Sequence, residues 1–142
     1  QLSLAAGEPL DRMAAMSPSM AGHAIECRLY AENPAKKFFP SPGTLERLGL
    51  PEESEGLRID TGFVEGDTIT PYYDPMIAKI ITSGANRAEA VEVMRAALER
   101  IEVSGITTNL EFLKRVIEHP EFLAAEVDTR FIDRHGTVLT EG

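Results

Sequence analysis

Between Gly22 and Glu32 the chain alternates apolar and polar residues with the period of a β-strand. Ile25, Cys27, Leu29 and Ala31 fall on one face, and Ala24, Glu26, Arg28, Tyr30 and Glu32 on the other. Asn33-Pro34 marks a turn. Residues 35–43 read as a loop in which Phe38 and Phe39 anchor the chain on the core rather than bind a ligand. Short strands are predicted over residues 44–50, 57–61 and 68–70. Between the first two lies the acidic turn Pro-Glu-Glu-Ser-Glu-Gly, and Glu65-Gly66-Asp67 precedes the third. Residues 76–82 form a strongly apolar strand interrupted by Lys79.

After residue 85 the period changes to that of a helix. Asn86 is placed as an N-cap, with Glu89 in the capping-box position. Val91, Met94, Leu98 and Ile101 follow as one apolar stripe. Thr108 and Glu111 form a second such pair ahead of Leu110, Leu113, Val116 and Ile117, and His119-Pro120 stops that helix. Residues 120–125 add one helical turn, and residues 129–132 are expected to be a final strand or edge. Strands first and helices last predict an α+β domain, a small antiparallel sheet with C-terminal helices packed on one face. The opening residues read as a helix stopped by Gly7 and Pro9. Residues 1–21 are thus expected to be the end of a preceding region and a connector, residues 22–136 the domain, and residues 137–142 a tail.

The length of 142 residues suits one domain. A formal charge of −9 argues against a general nucleic-acid binder and against an anionic membrane surface. No apolar run approaches a membrane span, and the first residues lack the pattern of a signal peptide. The single cysteine, Cys27, rules out an internal disulfide, and its place on the apolar face makes it a small buried hydrophobe. The glycines are scattered rather than gathered into a phosphate-binding loop. His23, His119 and His135 are far apart and suggest no metal site; His23 reads as a structural histidine.

Candidate chemistry centres on Arg28, which shares its strand face with Glu26 and Glu32. One reading is a cation oriented by two carboxylates. The other is a solvated face with exposed ion pairs, which contribute little stability. Arg58 and Asp60 share a face of the strand over residues 57–61. Asp74 precedes Pro75 and starts a turn that feeds the apolar strand. Lys79 invites a buried ion pair, with Asp60 or Asp74 as its partner.

Four ordered blocks carry a resemblance. They are Gly22-His-Ala-Ile-Glu-Cys-Arg-Leu-Tyr-Ala-Glu-Asn-Pro34, Phe39-Pro-Ser-Pro-Gly43, Pro71-Tyr-Tyr-Asp-Pro-Met-Ile-Ala-Lys-Ile-Ile81 and Gly105-Ile-Thr-Thr-Asn109. From about Gly22 to about His135 the chain resembles the C-terminal domain of biotin carboxylases. The resemblance implies that Arg28 is the arginine set against the ureido ring of biotin, with Glu26 and Glu32 orienting it. It implies a subunit-contact position for Arg58, with a solvated strand end as the alternative. Phe131 would reach toward an adenine pocket, and Tyr72, Tyr73, Asp74 and Lys79 would form a structural motif.

The implied reaction is ATP-dependent carboxylation of biotin with bicarbonate. The implied cofactors are biotin on a carrier domain and ATP with Mg2+, bound mainly by an ATP-grasp lobe upstream of Gln1. The chain lacks the Met-Lys-Met motif of the carrier itself. Implied partners are that lobe, the biotin carboxyl carrier domain and a carboxyltransferase subunit that chooses the acceptor. Leu29-Tyr30 and the second block lean toward an acyl-CoA carboxylase α subunit. The compartment would be the cytoplasm for a bacterial-like chain or the mitochondrial matrix for a eukaryotic one. The isolated segment is expected to be inactive and to bind no cofactor tightly. Two other readings remain open, a docking or oligomerisation module and a stand-alone ligand-binding domain.

Overall fold

Strand β1 (His23–Tyr30) pairs antiparallel with β8 (Met76–Gly84), and β8 pairs in turn with β6 (Leu57–Thr61). This three-stranded sheet, in the order β1-β8-β6, is the centre of a computed structural model that describes residues 1–9 and 19–140. Most of the predicted connector therefore lies outside the described residues, as do the last two residues of the predicted tail. Before the connector, α1 (Leu2–Ala5) ends ahead of Gly7, whose φ of 88° is open to glycine and strained for other residues. The expected stop is thus present.

The alternation read from the sequence sets the two faces of the sheet. Ile25, Cys27 and Leu29 point inward with Ala78, Ile80 and Thr82 of β8. Helix α2 (Arg87–Glu99) covers this side and buries Ala90, Val91, Met94, Ala97 and Leu98 against it. Full burial of each Leu or Ile contributes about 1.5–3 kcal/mol. Thr82 is the one buried hydroxyl in the seam, and its Oγ1 donates to the Ala90 carbonyl at 2.9 Å. Strand and helix come close at Gly84, where a Cβ would lie 2.6 Å from the Glu89 Cβ. Burial pushes the Cys27 thiol up to about 12, with the Glu26 charge adding to the effect, so it is no reactive thiol.

The cap of α2 forms as expected. Asn86 Oδ1 accepts from the Glu89 amide at 3.0 Å. Glu89 Oε2 accepts from the Ala85 amide at 2.9 Å, one residue earlier than in the usual box.

Smaller ladders frame this core. They pair β2 (Glu32–Asn33) with β3 (Phe39–Pro40), β4 (Gly43–Thr44) with β7 (Thr68–Ile69), and β5 (Arg47–Gly49) with β9 (Glu102–Ser104). The single strand expected over residues 44–50 is split, because Leu45 turns fully into the core and its amide donates to the Asp67 carbonyl. A 3-10 turn (Pro34–Lys36) opens the expected loop. There Phe38 packs edge-on against Phe112 at 5.0 Å, whereas the Phe39 side chain is exposed and only its backbone pairs, with Asn33 of β2.

The C-terminal helices differ most from expectation. Helix α3 (Leu110–Glu118) forms and stops at His119, but without the Thr108–Glu111 box. Asn109 is its N-cap residue and makes no side-chain cap bond, and the Glu111 carboxylate instead accepts from Lys114 at 2.7 Å. The extra turn is present as α4 (Pro120–Leu123). Residues 129–132 are not a strand: they lead into α5 (Phe131–Thr140), which also takes up most of the predicted tail. The helix follows from Phe131, His135 and Leu139, one turn apart on one face. Phe131 and Leu139 form a second small core with Phe112. Arg134 and His135 reach back to Glu121, at 3.2 and 2.9 Å, which fixes α5 to the turn before it. No helix among the described residues is long and apolar enough to cross a membrane.

At the other end of the sheet, Asp74 Oδ1 accepts from the Met76 amide at 3.0 Å and starts β8 as the sequence suggested. The same carboxylate lies near Glu32. Desolvation first, and the Asp74 charge second, raise the Glu32 carboxyl above its ordinary value.

Two stability outcomes follow from these contacts. Asn86→Ala removes the α2 cap and is expected to cost about 1 kcal/mol in denaturant unfolding. Folding favours the neutral form of Glu32, so its contribution is intact below the ordinary Glu range and is lost as pH rises through the raised value. Glu32→Gln should therefore raise the melting temperature at about pH 7, with the difference closing by about pH 3; an equal difference at both would show that the carboxyl is not raised by folding.

Candidate functional site

Arg28 stands on the outer face of β1, opposite to the face that α2 covers. Period two brings Glu26 beside it, and Arg28 Nε donates to Glu26 Oε1 at 2.7 Å. The Arg28 side chain remains 55% exposed. The hydrogen bond to Glu26 first, then that to the Tyr30 side chain, push the guanidinium further up, so it is a permanent cation. An exposed pair of this kind adds little stability; what it supplies is direction, since it restricts where the planar group points.

Glu32 does not join this pair, contrary to expectation. Strand β1 ends at Tyr30, and Glu32 belongs to β2, which pairs with β3. Its carboxyl sits in the field of Asp74 instead. Arg28 is thus oriented by one carboxylate, not two.

The register lays out the rest of the outer face. Lys79 of β8 is opposite both Arg28 of β1 and Asp60 of β6, and Ile81 is opposite both Glu26 and Arg58. The buried ion pair expected for Lys79 is absent among the described residues. Asp60 is held in a two-pronged bond by Arg58, at 2.8 and 3.0 Å, and the Asp74 side chain is engaged in its turn. Arg58 and its partner remain exposed at the outer strand, clear of Arg28.

Other expected site residues separate from Arg28. Tyr72 and Tyr73 are 85% and 83% exposed in the loop before Asp74. Phe131, the nucleotide-pocket candidate, is only 4% exposed and lies in the second core with Phe112 and Leu139. A base could stack on it only by displacing that packing. His23 Nε2 sits 3.1 Å from Arg87 Nη1, and Arg87 also donates to the Phe122 carbonyl at 2.6 Å. Among the described residues no group of three or more His, Cys, Asp or Glu could hold a metal ion.

One residue at this site was not singled out from the sequence. Asn109 is 6% exposed, and its side chain meets β1 beside Arg28. Its Oδ1 accepts from the Tyr30 amide at 2.8 Å, its Nδ2 donates to the Arg28 carbonyl at 3.1 Å, and its own amide donates to the Tyr30 carbonyl at 3.1 Å. The available signal was an asparagine ending the fourth block at a helix start, which reads locally as a cap.

Comparison with known proteins bears on the whole arrangement. A family model described as the biotin carboxylase C-terminal domain matches residues 26–134. A biotin carboxylase of Halalkalibacterium halodurans is 48% identical over 140 residues, covering 99% of this chain and 30% of that protein. The mitochondrial methylcrotonoyl-CoA carboxylase subunit alpha of Arabidopsis thaliana is 42% identical, covering 98% of this chain and 19% of that protein. Among solved structures, the biotin carboxylase domain dimer of Hydrogenobacter thermophilus 2-oxoglutarate carboxylase, in complex with MgADP, ADP and bicarbonate, aligns with a TM-score of 0.87 and 36% identity. That alignment covers 99% of this chain and 31% of the other. The chain therefore spans less than a third of the length of these relatives. With its ordered motifs, its α+β sheet and the family match in agreement, the chain belongs to the biotin carboxylase C-terminal domain family.

Proposed function

We propose that this chain forms one wall of the site where a biotin-dependent carboxylase carboxylates carrier-bound biotin, with Arg28 as its catalytic residue. The observation that carries the reading is an exposed, permanently charged guanidinium on a rigid strand, oriented by Glu26 at 2.7 Å. Such a group fits a partner that gathers negative charge on an oxygen, as the biotin ureido oxygen does when its ring nitrogen loses a proton. When bound, biotin supplies the nitrogen that accepts the carboxyl group. Arg28 meets the developing charge without having to reorganise, because Glu26 already holds it. A lysine would present a hydrated point charge on a flexible stem and no planar fork.

An ATP-grasp lobe of the same polypeptide would hold ATP, magnesium and bicarbonate, a reading supported by the similar carboxylase domain in complex with MgADP and bicarbonate, of which this chain covers 31%. A biotin carboxyl carrier domain would deliver the biotin, and a carboxyltransferase subunit would pass the carboxyl group on. Relatives named as methylcrotonoyl-CoA and propionyl-CoA carboxylase subunits support an acyl-CoA as final acceptor.

In the full-length protein, Arg28→Ala is expected to slow biotin carboxylation by about 10²–10³-fold, and Arg28→Lys to restore only part of that rate. Subunit assembly, measured by sedimentation, should be unchanged. Full carboxylation with altered assembly would favour a docking module and overturn the catalytic role of Arg28.

A further inference from the structure

Strand β1 is an outer strand of its sheet, so one side of its backbone lacks a neighbouring strand. In an antiparallel pair the amide and carbonyl of each residue point to the same side, and successive residues alternate. The contacts of Asn109 show that Arg28 and Tyr30 point to this outer side, away from β8. The ladder to β8 is also irregular here, because its register shifts between Leu29 and Tyr30. The strand is therefore least constrained by its partner next to the residue whose direction matters most.

Asn109 takes the place of the missing strand at that point. Its backbone and side chain together satisfy three β1 groups within three residues, at 2.8, 3.1 and 3.1 Å. The amide orientation is settled by chemistry, since the Tyr30 amide can only donate and the Arg28 carbonyl can only accept. Few side chains could do this. Aspartate has no donor for the Arg28 carbonyl, leucine has neither group, and glutamine carries its amide one methylene further out. Asn109 also forgoes the local cap that its position at the start of α3 would otherwise let it make.

We propose that Asn109 is a positioning residue for the carboxylation step, acting through Arg28 by holding the outer edge of β1. This rests on the reading of Arg28 given above. It ties the start of α3 to the strand that carries the guanidinium, so that a shift of the helix moves the site. Displacement of a reacting or stabilising group by about 1 Å costs on the order of 10²-fold in rate.

The test is a double-mutant cycle in the full-length enzyme, reading kcat and KM for free biotin. Asn109→Ala is expected to lower kcat by about 10–100-fold with the arginine present, and by less than about 2-fold in an Arg28→Ala background. A merely structural asparagine would lower both backgrounds by the same factor, and that result would overturn the inference, as would an unchanged kcat in the single variant. Either of those, beside a large Arg28→Ala effect, removes only the role of Asn109. An Arg28→Ala enzyme that keeps its full rate removes the catalytic reading and this inference with it. Asn109→Asp keeps the acceptor for the Tyr30 amide and should lose less than the alanine variant; a loss as large as alanine's counts against the shared-edge geometry. Amide exchange on the unsubstituted protein needs no variant to fold. The Tyr30 amide should exchange as slowly as those of Cys27 and Leu29, and exchange at the rate of an open edge would sink the proposal.

Discussion

The ladder between β1 and β8 has one apolar face sealed by α2 and one polar face open to solvent, and every feature of the site inherits its position from that division. A slip of β1 by one residue would carry Glu26 and Arg28 into the core and expel Cys27 and Leu29. Uncompensated burial of those charges would cost far more than any surface pairing could return. The register is thus pinned by the core, and the guanidinium is placed by the packing of residues buried on the opposite face. Glu26 adds orientation to a location that is already settled.

The outer face shows how short-range competition decides ion pairing. Lys79 faces Arg28 on one side and Asp60 on the other, yet the carboxylate of Asp60 goes to Arg58, two residues along its own strand. A bidentate fork from a planar guanidinium outcompetes a single ammonium at a similar distance. The consequence is a surplus of positive charge around Arg28 on this face, in a chain whose formal charge is −9. That local surplus could not be inferred from the net charge.

What the sequence made legible was whatever obeys a local period. The two faces of β1, the strand Leu57–Thr61, the cap at Asn86 and the stripe of α2 all follow from neighbours in the chain. What it hid depends on partners distant in sequence. Glu32 continues the alternation of β1 on paper, but the strand ends before it and a new pairing begins. The stretch before Leu50 looks like one strand until the burial of Leu45 divides it. Phe131 begins a helix whose period becomes visible only when Leu139 is counted, and that helix turns a nucleotide-contact candidate into a core residue. Asn109 illustrates the limit most sharply, because its local chemistry reads as a cap while its bonds go to residues 28 and 30.

Cys27 adjoins Arg28 in sequence and points to the opposite face, where burial holds its thiol protonated. Within this chain it is the sole cysteine, so alkylation here reports one place, the apolar face of β1, whether α2 parts from the sheet or the domain unfolds as a whole. The residue next to the guanidinium thereby serves as a built-in clock for how often the floor beneath the site opens. Where alkylation outpaces reclosing, the labelling rate is that frequency, and where it does not, the rate reports the population of the open form.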